Sequence, residues 1–172
     1  VILVGVVVAI ASRRPDRNRM EYSERIAAPP EAIFPLINDL RAFSTWSPFE
    51  RKDPNIKSVY SGPESGPGNR HAWDGNREVG AGWCRITNSV PYSRVDMELH
   101  MMRPMKCSSD VAFTLVPEGG STVVTWSVDG QMPLIAKVMD LVIGMERMCG
   151  NEFKTGLASL KSRVEGAHGV AA

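Results

Sequence analysis

The sequence predicts an α+β fold in which one curved antiparallel sheet is closed by one long C-terminal helix. Three observations carry that prediction: an early apolar strand runs into a helix opened by Pro29-Pro30, period-two segments fill the middle of the chain, and a solitary amphipathic helix ends it. One helix laid across one curved sheet cannot fill the concavity with backbone, so large side chains or a ligand must fill it. The chain has 172 residues, 43% hydrophobic and 23% charged, with a formal charge of +1. A folded part of about 150 residues is one domain that buries roughly two-thirds of its unfolded surface, enough for a core and a cavity together. With no acidic or basic excess, no nucleic-acid partner is expected.

Residues 1–12 are almost wholly apolar. At 1.5 Å per residue such a run covers about 16 Å of a hydrocarbon layer about 30 Å thick, too short to span alone. Because the chain starts with Val, the stretch is read as a partial membrane anchor, the alternatives being a cleaved signal segment or a disordered tail. Arg13, Arg14, Arg17 and Arg19 make residues 13–19 a basic linker. A positive flank resists translocation, so the expectation is an inner-membrane protein with a single N-terminal anchor and a cytoplasmic domain, the membrane being one partner. Cys84, Cys107 and Cys149 are odd in number and lack Cys-x-x-Cys spacing, which suits reduced thiols better than a disulfide framework or a zinc site.

The folded domain is expected over residues 20–166, with a flexible tail at 167–172. Tyr22 to Ala27 reads as the first strand, and Pro29-Pro30-Glu31 starts a helix whose apolar side is Ile33, Phe34, Leu36 and Ile37. Pro35 limits or kinks it. A second short helix covers Leu40 to Thr45 and ends before Trp46-Ser47-Pro48. From Phe49 to Met132 the period is two. Ser61 to Asn69 is a Gly- and Pro-rich hairpin connection or a lip over a pocket; no Gly-Lys-Ser/Thr follows, so it is no phosphate cradle. Val95, Met97, Leu99 and Met101 share one face, Asp96, Glu98 and His100 the other; Val111, Phe113 and Leu115, then Val124, Trp126 and Val128, repeat the pattern. Pro117 to Gly120 makes the last hairpin turn. Leu134 to Ile143 reads as a separate helical piece broken at Gly144. Met145, Met148, Cys149, Phe153, Gly156, Leu157, Leu160 and Val164 then form one stripe at helical spacing.

Ile26-Ala27-Ala28-Pro29-Pro30-Glu31, the Trp46-Ser47-Pro48 corner, Tyr60-Ser61-Gly62, Trp73-Asp74-Gly75-Asn76, Gly80-Ala81-Gly82, Thr122 to Trp126 and Gly156 to Lys161 stand in a telling order. Together they resemble the START-like superfamily, in its bacterial polyketide cyclase/dehydrase and lipid-transport (SRPBCC) branch, over nearly all of residues 20–165. The resemblance implies a helix-grip fold, a curved antiparallel sheet wrapped around the C-terminal helix with an internal apolar cavity. It implies little about activity, because that fold serves carriers, receptors and cyclases.

The faces assigned above place Met97, Leu99, Met101, Val111, Phe113 and Trp126 on the sheet side of such a cavity. Met132, Met139, Met145, Met148 and Phe153 fall on the helix side, with Trp46 and Trp73 near its mouth. Methionine repacks easily, which suits variable apolar ligands, although a collapsed core would use the same residues. Candidate chemistry is thin. His71 and His100 are expected on solvated strand faces or at a mouth, and His168 falls in the tail. Asp74, Glu78, Glu98 and Asp129 are general acids or bases only if buried, and nothing nearby lowers the pKa of Cys84. No catalytic residue, metal site or cofactor is assigned. The expected function is non-catalytic binding of a small hydrophobic, lipid-like or polyaromatic molecule, as a carrier or sensor. The alternatives are a polyketide cyclase/dehydratase-like enzyme, which requires a buried His or carboxylate with a shifted pKa, and a protein-interaction module.

Overall fold

The computed structural model describes the backbone of residues 2–169 and the side chains within it, except those of residues 2–5, 139, 143, 145–148, 168 and 169. In chain order it holds α1 (Ile2–Ser12), β1 (Arg17–Ile26), α2 (Pro30–Ile33), α3 (Pro35–Asn38), α4 (Leu40–Ser44), a 3-10 turn at Glu50–Lys52, β2 (Lys57–Ser61), β3 (Arg70–Asp74), β4 (Ala81–Val90), β5 (Arg94–Arg103), β6 (Cys107–Glu118), β7 (Ser121–Gln131), α5 (Leu134–Ile143) and α6 (Met145–Gly169). The seven strands form one antiparallel sheet in the order β1-β7-β6-β5-β4-β3-β2. β1 begins at Arg17, inside the stretch read as a linker, and α6 runs to Gly169.

Proline chemistry sets the short helices. Pro30 sits in the first turn of α2 beside Glu31, and Pro35, with no N–H to donate, ends that helix and restarts the chain as α3. Asp39 caps α4 by accepting from the Arg41 N–H at 2.8 Å. The Gly- and Pro-rich connection between β2 and β3 is a hairpin loop tied to the body. The Gly66 and Gly68 N–H groups donate to the Asn38 and Ile86 carbonyls, and the Asn69 amide joins Leu40 to Pro63.

Alternation holds in the strands. Val95 and Met97 of β5, Val111, Phe113 and Leu115 of β6, and Val124, Trp126 and Val128 of β7 are buried on the inner face. They pack in one cluster with Ile33, Ile37 and Trp46 and with Phe153, Leu157, Leu160 and Val164 of α6. Burial of this continuous face is the main favourable term holding helix to sheet. Gly156 lets α6 come close, since a Cβ there would lie 3.0 Å from the Trp126 ring and 3.1 Å from Pro48.

The expectation of an inner-membrane protein is overturned. No helix among the described residues is long and apolar enough to cross a membrane; α1 has only 11 residues. It packs against α5, burying Ala11 completely. The Arg14 guanidinium bonds the Asp140 carboxylate at 2.6 Å, and the buried Lys137 ammonium donates to Asp16 at 2.6 Å and to the Arg14 carbonyl at 2.8 Å. Arginines read as a positive membrane flank are thus in part spent on contacts within the protein. The cytoplasmic orientation rested on the anchor and falls with it.

Candidate functional site

Strand register lays side chains in rows across the concave face. One row runs Tyr60, His71, Cys84, Leu99, Ser109, and a parallel row toward one end of the sheet runs Ser58, Trp73, Gly82, Met101, Cys107. Neighbours in such rows lie roughly 5 Å apart. Ile86, Met97, Val111 and Val128 form the next row in the opposite direction, followed by Val95, Phe113 and Trp126. These last two rows are closed core, each member no more than 8% exposed. By contrast Trp73, Leu99, Met101 and Cys107 remain partly exposed. The concave face therefore has a packed half and a less packed half.

A polar cluster borders the less packed half, where α4 and the 3-10 turn cover β2 and β3. The His71 ring is buried, stacked on Tyr60 at 4.4 Å with its Nε2 3.0 Å from the Ser58 hydroxyl and 3.7 Å from a Glu50 carboxylate oxygen. The Tyr60 and Ser44 hydroxyls are 2.6 Å apart. The Ser44 hydroxyl has one proton and donates it to the Leu40 carbonyl at 2.9 Å, which makes Tyr60 the donor of that contact.

Burial shifts every titrating group of the cluster toward its neutral form. His71 is pushed down to about 4 and the Cys84 thiol up to about 12, both chiefly by desolvation. Glu50 is raised by burial, against the opposing Ser44 hydrogen bond. The Glu50 carboxylate adds to the rise at Cys84, and Glu152 adds to the burial-driven rise at Cys149. Lys52, two residues after Glu50, is bound to Glu152 at 2.7 Å and Glu78 at 3.1 Å. Cys84 is therefore a thiol, not a nucleophile. Among the described residues no three metal-ligating side chains gather.

The sequence pattern described as polyketide cyclase/dehydrase and lipid transport matches residues 17–165. The chain belongs to this family. Solved structures agree on the fold of this polyketide cyclase/dehydrase and lipid-transport family protein. A crystal structure from Chromobacterium violaceum has a TM-score of 0.60 at 16% identity, covering 88% of this chain and 99% of that one. The solution structure of the Aha1 dimer from Colwellia psychrerythraea has 0.60 at 17%, covering 86% and 96%. The crystal structure of TTHA0849 from Thermus thermophilus has 0.62 at 15%, covering 87% and 99%. At such identities the likeness shows the fold alone, the helix-grip arrangement of the START-like superfamily. Among curated proteins none matches the sequence.

The residues expected to line a cavity in this family protein divide. Met97, Val111, Phe113, Trp126 and Phe153 lie in the closed core. So does Trp46, which was expected near the mouth; it is fully buried with its Nε1 donating to the Leu36 carbonyl at 2.8 Å. Trp73, Leu99 and Met101 belong to the less packed half. The side chains of Met139, Met145 and Met148 lie outside the described residues, as does that of His168. Among the described residues no internal cavity is shown. One hollow of about 330 Å³ sits between Arg17, Cys107 and Met132, and another of about 420 Å³ between Trp83, His100 and Met101.

Of the two placements expected for His71, the solvated strand face is excluded: it is inward and buried, at the border of the less packed half. The signal was available: Trp73 was placed at the mouth, and His71, two residues earlier in a strand, must share its face. Glu50 carried no such signal, because it reaches the cluster from an irregular turn. His100 does lie on the outer face, stacked on Trp83 at 4.1 Å. Asp74, Glu98 and Asp129 are held in ion pairs with Arg103, Arg85 and Arg17, and Glu78 is held by Lys52. One further polar atom stands out. Among the described residues, Trp126 Nε1 is a buried donor with no partner.

Proposed function

We propose that the protein binds a small hydrophobic molecule, lipid-like or polyaromatic, on the less packed half of its concave face, as a non-catalytic carrier or sensor. The observation that supports this most directly is the contrast between rows. Trp73, Leu99, Met101 and Cys107 keep apolar surface accessible on the inner face of the sheet, beside rows of the same character that are closed. Aromatic and methionine side chains there provide an adaptable apolar wall. Family membership supports the same ligand class. The test is native mass spectrometry of the full chain purified without detergent, with solvent extraction of whatever accompanies it. A stoichiometric apolar passenger is expected; a chain that is empty and also fails to bind an added uncharged apolar dye overturns the reading.

A cyclase/dehydratase-like enzyme is the second reading, and the pairing of buried His71 with half-buried Glu50 favours it. Two titrating groups whose environment shifts both pKa values are the usual equipment of proton transfer. It requires that an extracted passenger be chemically altered on incubation with fresh protein, and that His71→Phe abolish the alteration. A passenger returned unchanged leaves the carrier.

A further inference from the structure

The polar groups at the border of the less packed half are unequal in what they can offer a ligand. Tyr60 spends its proton on Ser44. The carboxylate 3.7 Å from His71 Nε2 favours the tautomer with the proton on that nitrogen, which Ser58 accepts, leaving Nδ1 as an acceptor. That nitrogen makes no hydrogen bond among the described residues. The Glu50 carboxylate keeps about a fifth of its side-chain surface accessible, 22%, and is likewise an acceptor. Within the cluster itself the two unspent groups, His71 Nδ1 and the Glu50 carboxylate, are acceptors, and the donor nearest them in the rows is the uncharged Trp73 indole.

Charge points the same way. The Lys52 ammonium, two residues after Glu50, is already bound by the carboxylates of Glu152 at 2.7 Å and Glu78 at 3.1 Å. Arg41 lies 4.4 Å above the Tyr60 ring on an exposed helix position, and Arg70 lies over Trp83 on the outer face. An anionic group entering here would lose hydration and meet the Glu50 carboxylate, with the Arg41 guanidinium on the face of the Tyr60 ring turned away from His71.

We infer that the ligand, on the reading that this half-open face binds an apolar molecule, carries at one end an uncharged hydrogen-bond donor such as a phenol, enol or alcohol. That donor is held by Glu50 and His71, and the site rejects carboxylates and phosphates. The arrangement resembles a site built to recognise a hydroxyl, which discriminates strongly because the unpaired acceptors are costly when the hydroxyl is missing.

Equilibrium dialysis of the full chain near neutral pH against naphthalene, naphthol and naphthoate tests this, since the three share one apolar body. Naphthol is expected to bind about tenfold more tightly than naphthalene, the worth of one good hydrogen bond, with naphthoate the weakest. Simple partition into an apolar site gives the opposite order for the first two. In His71→Phe, which keeps a ring against Tyr60, and in Glu50→Leu, the preference for naphthol should vanish while naphthalene still binds. Naphthalene binding as tightly as naphthol to the unaltered chain, or naphthoate binding best, overturns the inference and leaves apolar binding standing. Failure of all three to bind overturns the apolar-binding reading itself.

Discussion

His71 makes stability depend on pH with a predictable sign. Its folded pKa, about 4, lies below its ordinary 6.5, so between those values the unfolded chain binds a proton that the folded protein refuses. The contribution of His71 is therefore present above pH 6.5 and lost as pH falls toward 4. At full effect it amounts to roughly 3 kcal/mol. Glu50 works in the opposite sense, since a raised carboxyl takes up a proton on folding just above its ordinary 4.5. The two are separated by comparing urea unfolding of the unaltered chain with His71→Phe. The difference between them should shrink by the His71 amount on acidification, and a pH-independent difference would show that the ring is not held neutral. The two inner tryptophans give a second contrast. Trp46→Phe removes an indole that donates to Leu36, whereas Trp126→Phe removes one that donates to nothing described. Similar volume is lost, so Trp46→Phe should cost about 1–2 kcal/mol more, the price of stranding a buried carbonyl. Equal costs would mean that the Trp126 N–H has a partner.

At the scale of elements, the approach of α6 to the sheet depends on one missing side chain. Gly156→Ala places a methyl 3.0 Å from the Trp126 ring and 3.1 Å from Pro48, both held by the core, so a loss of about 1–3 kcal/mol is expected. A helix gains from alanine in its interior by propensity alone, so an unchanged or raised unfolding midpoint would show that α6 can slide outward. The α1–α5 pair makes a different prediction. Asp16→Ala leaves the buried Lys137 ammonium with the Arg14 carbonyl as its remaining described partner, so amide exchange should quicken across residues 134–142 and stay unchanged in β6 and β7. Uniform quickening would mean that α5 is part of the main cooperative unit. What the sequence made legible at this level followed from period and proline. The inner faces of β5, β6 and β7 and the break at Pro35 were readable because each rests on local geometry. The role of α1 was not, because an 11-residue apolar run looks the same whether it meets lipid or another helix. Only the pairing of Arg14 and Asp16 with Lys137 and Asp140, about 120 residues away in sequence, tells the two apart.

For the molecule as a whole, the division of the concave face into a closed and a half-open part predicts how a ligand acts on stability. An apolar compound bound to the folded state alone should raise the unfolding midpoint with its concentration, by about 2.7 kcal/mol at a hundred times its Kd. No shift with a compound that demonstrably binds would place its contacts in the unfolded chain as well. The fold itself was readable because the order of elements restricts the topology to a few choices, whereas the extent of the cavity was not. The same methionines and aromatic residues serve a filled interior and a lined one, and the choice depends on how closely α6 packs against the sheet. The pairing of β1 with β7 sets the timing of the molecule's making. Arg17 to Ile26 find their partners only at Thr122 to Gln131, so a growing chain carries its first strand unpaired through most of synthesis. That strand is the last to join the sheet, and α6, still later in the chain, seals the interior after it. A ribosome paused before Ser121 therefore holds an open half-shell with a bare strand edge, the state in which a nascent chain has most need of a chaperone.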